Sequence, residues 1–456
     1  MCKSDLKIIS ASVKHILGEY NHSFSINNDD GFVILYGPNG VGKTKFLEII
    51  NALTQLNGYA LSYLPFETAT LTYSDKSTLS VKRGTENGTN QNEDPSLSFP
   101  VEIILERPNG STISWPYKVD NFKKWIELNL PYEQISEYMW LDVEDGEVFH
   151  IDELRERFQK VNKEIIQSKS DCPKELREFV DSVPSFFIEA QRLRTENKKV
   201  RASLMRIKNR LARNLRRPSS RIREQAEIIQ KLVNDAQTEH SRITQRLDRT
   251  FPNRVLSEIS KDRKLDSKTI RASYNEQNDF RGRLGRVASV DLDNELSLPS
   301  DNLDNWSLTL LDLYLKDTKQ KLRPFEVLLK KIELLEKIIN SRLLNKYLQI
   351  TGDKGLSVLH SDNDKPIDLD SLSSGEQHEI ILMIDLLFDV PDGALVLIDE
   401  PEISLHVAWQ IKFIPDVIEI AKLSKFCFVV ATYSPQIVND QWERAFRLGP
   451  SEEISS

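Results

Sequence analysis

Phe32-Val33-Ile34-Leu35-Tyr36-Gly37-Pro38-Asn39-Gly40-Val41-Gly42-Lys43-Thr44 decides the fold. Five apolar residues read as a buried strand. Lys45-Phe46-Leu47-Glu48-Ile49-Ile50-Asn51-Ala52-Leu53 then carries helical spacing. Strand, Gly-rich turn and helix together form the setting a phosphate-binding loop requires. Glycines let backbone N–H groups close around phosphate oxygens with no Cβ in the way. The loop Gly37, Pro38, Asn39, Gly40, Val41, Gly42, Lys43, Thr44 is therefore the candidate nucleotide cradle. Lys43 would reach the β- and γ-phosphates of ATP and Thr44 would hold Mg²⁺.

The 456 residues suffice for two or three domain-sized units. Hydrophobic residues make up 39% and charged residues 29%, a balance that fits a folded, helix-rich chain. The net charge of −8 rules out polyanion binding by bulk charge, so any such role must rest on a local patch. Cys2, Cys172 and Cys427 have no paired spacing, which argues against a zinc site or disulfide framework and fits a reducing cytoplasm. No run of about 18 apolar residues and no signal pattern is present, so a cytoplasmic location and no membrane partner are expected.

Upstream of the loop, 5–36 reads as strands. Tyr20 is open to two readings, a stacking surface for adenine or an ordinary aromatic on a sheet. Strand-like runs continue at Thr68–Tyr73 and Val101–Leu105, with a polar loop over 84–92 between them. From 120 to 180 Trp125, Ile126, Leu128, Leu154, Phe158 and Val161 predict helix. Ser185-Phe186-Phe187-Ile188 ends near Gln191. That residue is read either as a sensor of the γ-phosphate and Mg²⁺ beside the loop or as a polar helix start.

Ile222, Ala226, Ile229, Val233, Ala236, His240, Ile243 and Leu247 alternate steps of four and three, a heptad seam. It spans about 26 residues, roughly 39 Å at 1.5 Å per residue. His240 on it reads as a packed or register-setting residue. Phe325, Leu328, Ile332, Leu335 and Ile339 predict a return helix. Arg281-Gly282-Arg283-Leu284-Gly285-Arg286 falls in a polar, Gly-containing stretch, so the arm's tip is expected near 260–300. From 192 to 224, thirteen Lys or Arg residues, Arg213, Arg216 and Arg217 among them, face only Glu196 and Glu224. This basic run suits nucleic acid phosphates, an acidic or self-associating partner, or a solvated helix face.

Leu372-Ser373-Ser374-Gly375-Glu376-Gln377 precedes an apolar helix. Ser373, Ser374 and Gly375 at its start form either an anion site or a helix cap. Ala394-Leu395-Val396-Leu397-Ile398-Asp399-Glu400-Pro401-Glu402 is an apolar strand ending in acids. Asp399 would hold the Mg²⁺ shell and Glu400 would polarise the attacking water. Glu402 adds a second acidic contact or starts the next loop.

In order, Gly37–Thr44, Leu372–Gln377, Leu395–Glu400, Ser404-Leu405-His406 and Ala431-Thr432-Tyr433-Ser434-Pro435-Gln436 resemble Walker A, signature, Walker B, D-loop and switch of an ABC-type ATPase. Gln191 stands where that family has its Q-loop glutamine. The Glu-Pro-Glu-Ile-Ser-Leu-His wording and the helical arm resemble the OLD-like and SMC-like branch. Within it, the chain resembles ATPase subunits of bacterial anti-phage systems, those of PARIS (AriA) first, then Septu and retron-associated ATPases. The resemblance implies an α/β fold, an ABC-type P-loop ATPase core with an inserted antiparallel helical (coiled-coil) arm. The expected divisions are 1–190, an N-terminal ATPase lobe; 191–350, the arm; and 351–456, a C-terminal lobe. The cofactors implied are ATP and Mg²⁺. Catalytic roles fall on Glu400, Lys43, Gln191 and Tyr433, and metal contacts on Thr44, Gln191 and Asp399.

Tyr433 stands where the family usually has His. A phenol is neither base nor cation near neutral pH, which predicts slow turnover. One Walker A and one signature per chain imply a homo-oligomer with composite ATP sites. The chain ends soon after the switch motif, so a separate effector is expected, a TOPRIM-type or other nuclease, released by a phage-encoded trigger. The rival reading is an SMC-like DNA-repair ATPase that clamps DNA and drives a nuclease.

Overall fold

The computed structural model describes residues 6–26, 31–84, 99–117, 126, 130–135, 139–143, 146–158, 172–189, 220–259, 266–288, 298, 303–403 and 405–449. Gln191, the basic stretch 192–217, the loop 85–92, Trp125, Leu128, Val161 and Ser404 lie outside them. The chain divides into two compact units, Met1–Arg217 with Val390–Ser456, and Pro218–Asp389.

The first unit contains β1 (Ile8–Ile16), β2 (Tyr20–Ser25), β3 (Phe32–Tyr36), α1 (Lys43–Thr54), α2 (Gly58–Tyr63), β4 (Thr68–Tyr73), β5 (Thr78–Arg83), β6 (Val101–Glu106) and β7 (Thr112–Tyr117). It continues through β8 (Tyr132–Gln134), β9 (Met139–Asp142), β10 (Val148–His150), α3 (Ile151–Phe158), α4 (Lys174–Asp181) and β11 (Ser185–Ile188). The second unit holds α5 (Arg221–Ile259), α6 (Ser267–Ala288), α7 (Asn305–Asn340), β12 (Lys346–Thr351), β13 (Gly355–His360), β14 (Pro366–Ile367) and α8 (Ser374–Ile384). The chain then returns to the first unit as β15 (Leu395–Asp399), α9 (Val407–Ser424), β16 (Cys427–Thr432), α10 (Pro435–Val438) and β17 (Ala445–Arg447).

Five strands of the first unit form a parallel sheet in the order β11-β15-β16-β3-β17. Every residue of β15 is buried, as are Phe32 to Leu35 of β3. This is why those runs read as continuous apolar sequence and not as alternation. The loops that leave β3, β15 and β16 all emerge at one edge, where a parallel sheet places its ligands. A six-stranded antiparallel sheet, β2-β1-β4-β5-β6-β7, lies in the same unit. In β4 and β5 buried residues alternate with partly exposed ones. The helix α1 touches strands of both sheets. Phe46, Leu47, Ile49, Ile50 and Leu53 on α1 are fully buried in one core with Val33, Leu397, Val429, Leu71 and Ile103. Each such side chain contributes about 1.5–3 kcal/mol by burial.

Among the described residues, the helix expected over 120–180 is only partly present. The strands β8, β9 and β10 occupy 132–150 as a small antiparallel sheet around Trp140, which is fully buried. Strands of three or four residues are too short to establish a visible period. The helical spacing at Leu154 and Phe158 does form a helix, α3.

In the second unit, α5 and α7 run antiparallel. Arg254 pairs with Asp317, and His240 Nδ1 lies 2.7 Å from the Lys321 carbonyl. The His240 ring also tilts against Phe325, so it is packed on the seam. The tip is expected near 260–300, but within that range Arg281 to Arg286 lie inside α6, a third helix packed on α7. Gln277 Nε2 donates to Leu315 O at 2.8 Å, and Arg283 meets Glu333 at 3.0 Å. The packing face of α6, with Ile270, Leu284 and Val287 buried, outweighs the cost of two helical glycines, about 1 kcal/mol each. The unit boundaries also differ from the sequence-based divisions at 190/191 and 350/351. The hairpin β12–β13 and α8 group with the long helices, because Gln230 of α5 donates to Gly352 O at 2.6 Å and β13 packs on α5. Among the described residues no helix is long and apolar enough to cross a membrane.

Candidate functional site

The loop from β3 to α1 rises over Pro38, Asn39 and Gly40, all exposed, and dives back at Val41, Gly42 and Lys43, all buried. Gly40 and Gly42 hold φ of 90° and 83°. That region disfavours side chains, and at Gly42 a Cβ would sit 2.9 Å from Ile16 Cγ2. As the N-cap of α1, Gly42 provides no capping side chain, so the first-turn N–H groups of α1 remain available to an anion. His22, missed in the sequence, supports this turn: its Nε2 lies 2.6 Å from the Val41 carbonyl and so carries the proton there. Tyr20 stacks on His22 with ring centroids 5.8 Å apart.

Lys43 is only 4% exposed. Its ammonium donates to the carbonyls of Gly37 and Pro38, both at 3.0 Å. An ammonium has three N–H donors, so one is left for a further acceptor above the loop. Thr44 Oγ1 donates to Asp399 Oδ2 at 2.9 Å. Hydroxyl and carboxylate thus converge on one point, the kind of hard oxygen pair that Mg²⁺ takes. The Asp399 carboxyl is pushed up to about 6 by burial. The Thr44 hydroxyl opposes that shift, the charges of Glu400 and Glu48 add to it, and Lys43 opposes it. A buried carboxyl held so high fits a site built to receive a cation.

Glu400 follows at the strand end, half-buried, with φ at 40°. A non-glycine residue in that region costs on the order of 1–3 kcal/mol and must be held by its surroundings. Its N–H donates to Ala431 O at 2.8 Å. Glu402 Oε1 accepts from the Thr432 hydroxyl at 2.7 Å and from the Tyr433 N–H at 2.8 Å. Burial pushes the Glu402 carboxyl up. The Tyr433 ring is about half exposed, and its hydroxyl is pushed up by burial and by the charges of Glu402 and Glu400, so it stays a neutral donor. Beside it, Ser434 Oγ donates to Gln410 Oε1 at 2.8 Å.

Of the residues singled out in the sequence, Lys43, Thr44, Asp399, Glu400 and Tyr433 come together at this edge of the parallel sheet. Gln191 lies outside the described residues, past β11, which pairs with β15. Ser373, Ser374 and Gly375 belong to the second unit. There Ser373 caps α8 in a capping box, with the Ser373 N–H donating to Glu376 Oε2 at 3.0 Å. Lys346 holds that carboxylate at 2.9 Å. Gln377 Nε2 ties back to Leu372 O at 3.0 Å. The Ser-x-x-Glu spacing was a visible sign of this cap. Nothing local in the sequence marked His22, Gln410 or Thr432, whose partners are distant along the chain.

Two solved structures resemble the chain at low identity. One is an Smc head domain with an extended coiled coil, bound to the C-terminal domain of ScpA, from Pyrococcus furiosus. It is 13% identical, with 95% of this chain and 91% of that chain covered and a TM-score of 0.31. The other is the SMC head domain from Thermotoga maritima, 10% identical, with 96% and 92% covered and a TM-score of 0.30. Values this low identify no shared function or partner. No curated protein matches the sequence significantly. A family profile matches residues 32–439, from the first residue of β3 to just past the switch, and so takes in both the Gly-rich loop and the acidic strand. The chain belongs to that family, described as "AAA domain, putative AbiEii toxin, Type IV TA system".

Proposed function

We propose that this chain binds and hydrolyses ATP as the sensor or scaffold subunit of a bacterial anti-phage defence system. It oligomerises through shared ATP sites and controls a separate toxic effector, a nuclease of TOPRIM or another type. The observation that carries the ATPase reading is the Thr44–Asp399 hydrogen bond at the exit of the Gly-rich loop. It joins the two oxygen donors that the chemistry needs, beside a buried lysine and next to Glu400. In this reading the N–H groups of the loop and Lys43 bind the phosphates, and Thr44 and Asp399 hold the cation. Glu400 orients the attacking water and accepts its proton, while Tyr433 donates a hydrogen bond to the γ-phosphate. Gln191 serves as the sensor of the γ-phosphate and Mg²⁺. When bound, Mg²⁺ neutralises charge on the β- and γ-phosphate oxygens. Ser373, Ser374 and Gly375 of another copy cover the nucleotide, which makes ATP the bond between copies. The toxin named in the family's description is in keeping with a role in defence.

Phosphate release by the purified chain, compared with Glu400→Gln, tests the enzymatic part. Native mass spectrometry of Glu400→Gln protein co-expressed with its operon neighbours, with and without ATP and Mg²⁺, tests the rest. A homo-oligomer carrying a second protein, rearranged by nucleotide, supports the proposal. The eleven Lys and Arg residues over 192–217 suit the rival, a DNA-clamping repair ATPase, whereas Arg221 and Arg223 pair with Asp385, Asp368 and Asp370. That reading predicts ATP-dependent DNA binding that weakens steeply with salt and is lost when Arg213, Arg216 and Arg217 become Glu.

A further inference from the structure

Glu402 has no role in the chemistry above, yet it is one of the most confined charged groups in the first unit. It is 4% exposed, and a single oxygen, Oε1, receives two donors from consecutive residues, Thr432 and Tyr433. Its other oxygen has no hydrogen-bond partner among the described residues. A buried carboxyl group is costly to keep unless it is hydrogen-bonded, so its presence here calls for a reason.

The geometry around it gives the reason. The turn after β15 is fastened to the end of β16 at two points. One is the Glu400 N–H to Ala431 O, and the other is the Glu402 carboxylate to Thr432 and Tyr433. Between these fastenings Glu400 holds its left-handed conformation at φ 40°, followed by Pro401, whose ring fixes its own φ. Within the turn, Ile403 N–H reaches Glu400 O at 3.2 Å and Leu405 N–H reaches Glu402 O at 3.0 Å. On the other side, the Ser434 N–H donates to Thr432 Oγ1 at 3.0 Å, so the switch backbone continues from the same hydroxyl that Glu402 holds.

We propose that Glu402 is a positioning residue for ATP hydrolysis, whose carboxylate fixes Glu400 and Tyr433 on one frame. The base-bearing turn and the switch then cannot shift independently. This rests on the ATPase reading of the site. Glu402 itself does not touch the nucleotide. It determines where the two groups that do are held.

The test compares Glu402→Ala with Glu402→Gln in the full chain. Three quantities are measured: kcat per nucleotide-binding site, the ATP Kd, and amide hydrogen exchange at Tyr433 and Ser434. Gln keeps a carbonyl oxygen that can accept both donors, and Ala keeps none. Glu402→Ala is expected to lower kcat by about tenfold or more while leaving the ATP Kd within about threefold, the signature of lost positioning. The Tyr433 amide should exchange about tenfold faster in this variant, with the central strands β3 and β15 unchanged. Glu402→Gln should stay near wild type in all three. If Glu402→Ala does not fold, Thr432→Val removes at constant volume both the hydroxyl donated to Glu402 and the acceptor of the Ser434 N–H, and should show the same pattern at about threefold. Unchanged kcat in Glu402→Ala overturns the proposal, as does equal loss in Glu402→Gln, which would make the charge itself the active element. If the wild-type chain hydrolyses no ATP, the ATPase reading fails, and with it the positioning role. The exchange data then still decide whether the clamp itself exists.

Discussion

Thr44 and Asp399 stand 355 positions apart in the chain and share a 2.9 Å hydrogen bond, hydroxyl to carboxylate. The strand that leads into Thr44, β3, and the strand that ends in Asp399, β15, are not neighbours, because β16 lies between them in the sheet. The bond therefore bridges the end of an intervening strand, and each partner sets the position of the other. Thr44→Ala and Asp399→Asn are each expected to weaken Mg²⁺-dependent ATP binding by about 1.5–3 kcal/mol. The double variant should lose less than the sum, since both remove one shared contact. Titration calorimetry of the four proteins measures the coupling.

The acidity of Asp399 makes cation binding pH-dependent. Its carboxyl, pushed up to about 6 chiefly by burial, must be ionised to hold Mg²⁺. At pH 7.5 it is almost wholly ionised, and at pH 5.5 only about a quarter is. Mg²⁺-dependent ATP affinity should therefore fall between those values and binding near pH 6 should release a proton, seen as a buffer-dependent heat. The folded protein holds this proton more tightly than the unfolded chain does, so without metal the group destabilises the fold as pH rises from about 4 to 6. Asp399→Asn should accordingly raise the Tm of the metal-free protein at pH 7, even as it impairs binding.

Glu400→Gln should separate binding from turnover. The amide keeps the size of the side chain but cannot take a proton, so phosphate release should fall by about 10² or more with the ATP Kd within a few-fold. Lys43→Ala should instead abolish binding, because it removes the ammonium anchored on Gly37 and Pro38. Equilibrium binding of a fluorescent ATP analogue distinguishes the two patterns.

Tyr433 offers a gain-of-function test. Its hydroxyl stays protonated beside Glu400 and Glu402 and so supplies only a neutral hydrogen bond. Tyr433→His, with a ring that can carry positive charge toward the γ-phosphate, should raise kcat several-fold. It should also bring in a new pH dependence near 6–7, about where histidine titrates. Tyr433→Phe should lower kcat. A pH profile of steady-state hydrolysis reads both.

Stability in the second unit has its own weak point. Arg342 and Glu379 form an ion pair with both side chains 2% exposed, just behind the capped end of α8. Removing one partner leaves a buried charge, so Glu379→Ala should cost about 3–5 kcal/mol and lower the Tm clearly. Replacing both by apolar residues of similar volume should cost far less. Denaturant unfolding of the single and double variants measures the difference.

Much of this protein could be read along the chain. The buried runs at Phe32–Tyr36 and Leu395–Asp399, the glycines that turn at positive φ and the four-and-three spacing of α5 all express local rules of periodicity and backbone freedom. Each needs only neighbouring residues to act. The tertiary structure alone decided that Thr44 and Asp399 share a direct hydrogen bond, that β16 lies between the two motif strands, and that His22 supports Val41. It also decided that Glu402 fastens to Thr432 and Tyr433, and that Arg281 to Arg286 join a third helix and not a tip. These are matters of register and packing between distant segments. A hydrogen bond across 355 residues has no period, and a glycine-bearing stretch shows its packed face only when a partner helix covers it.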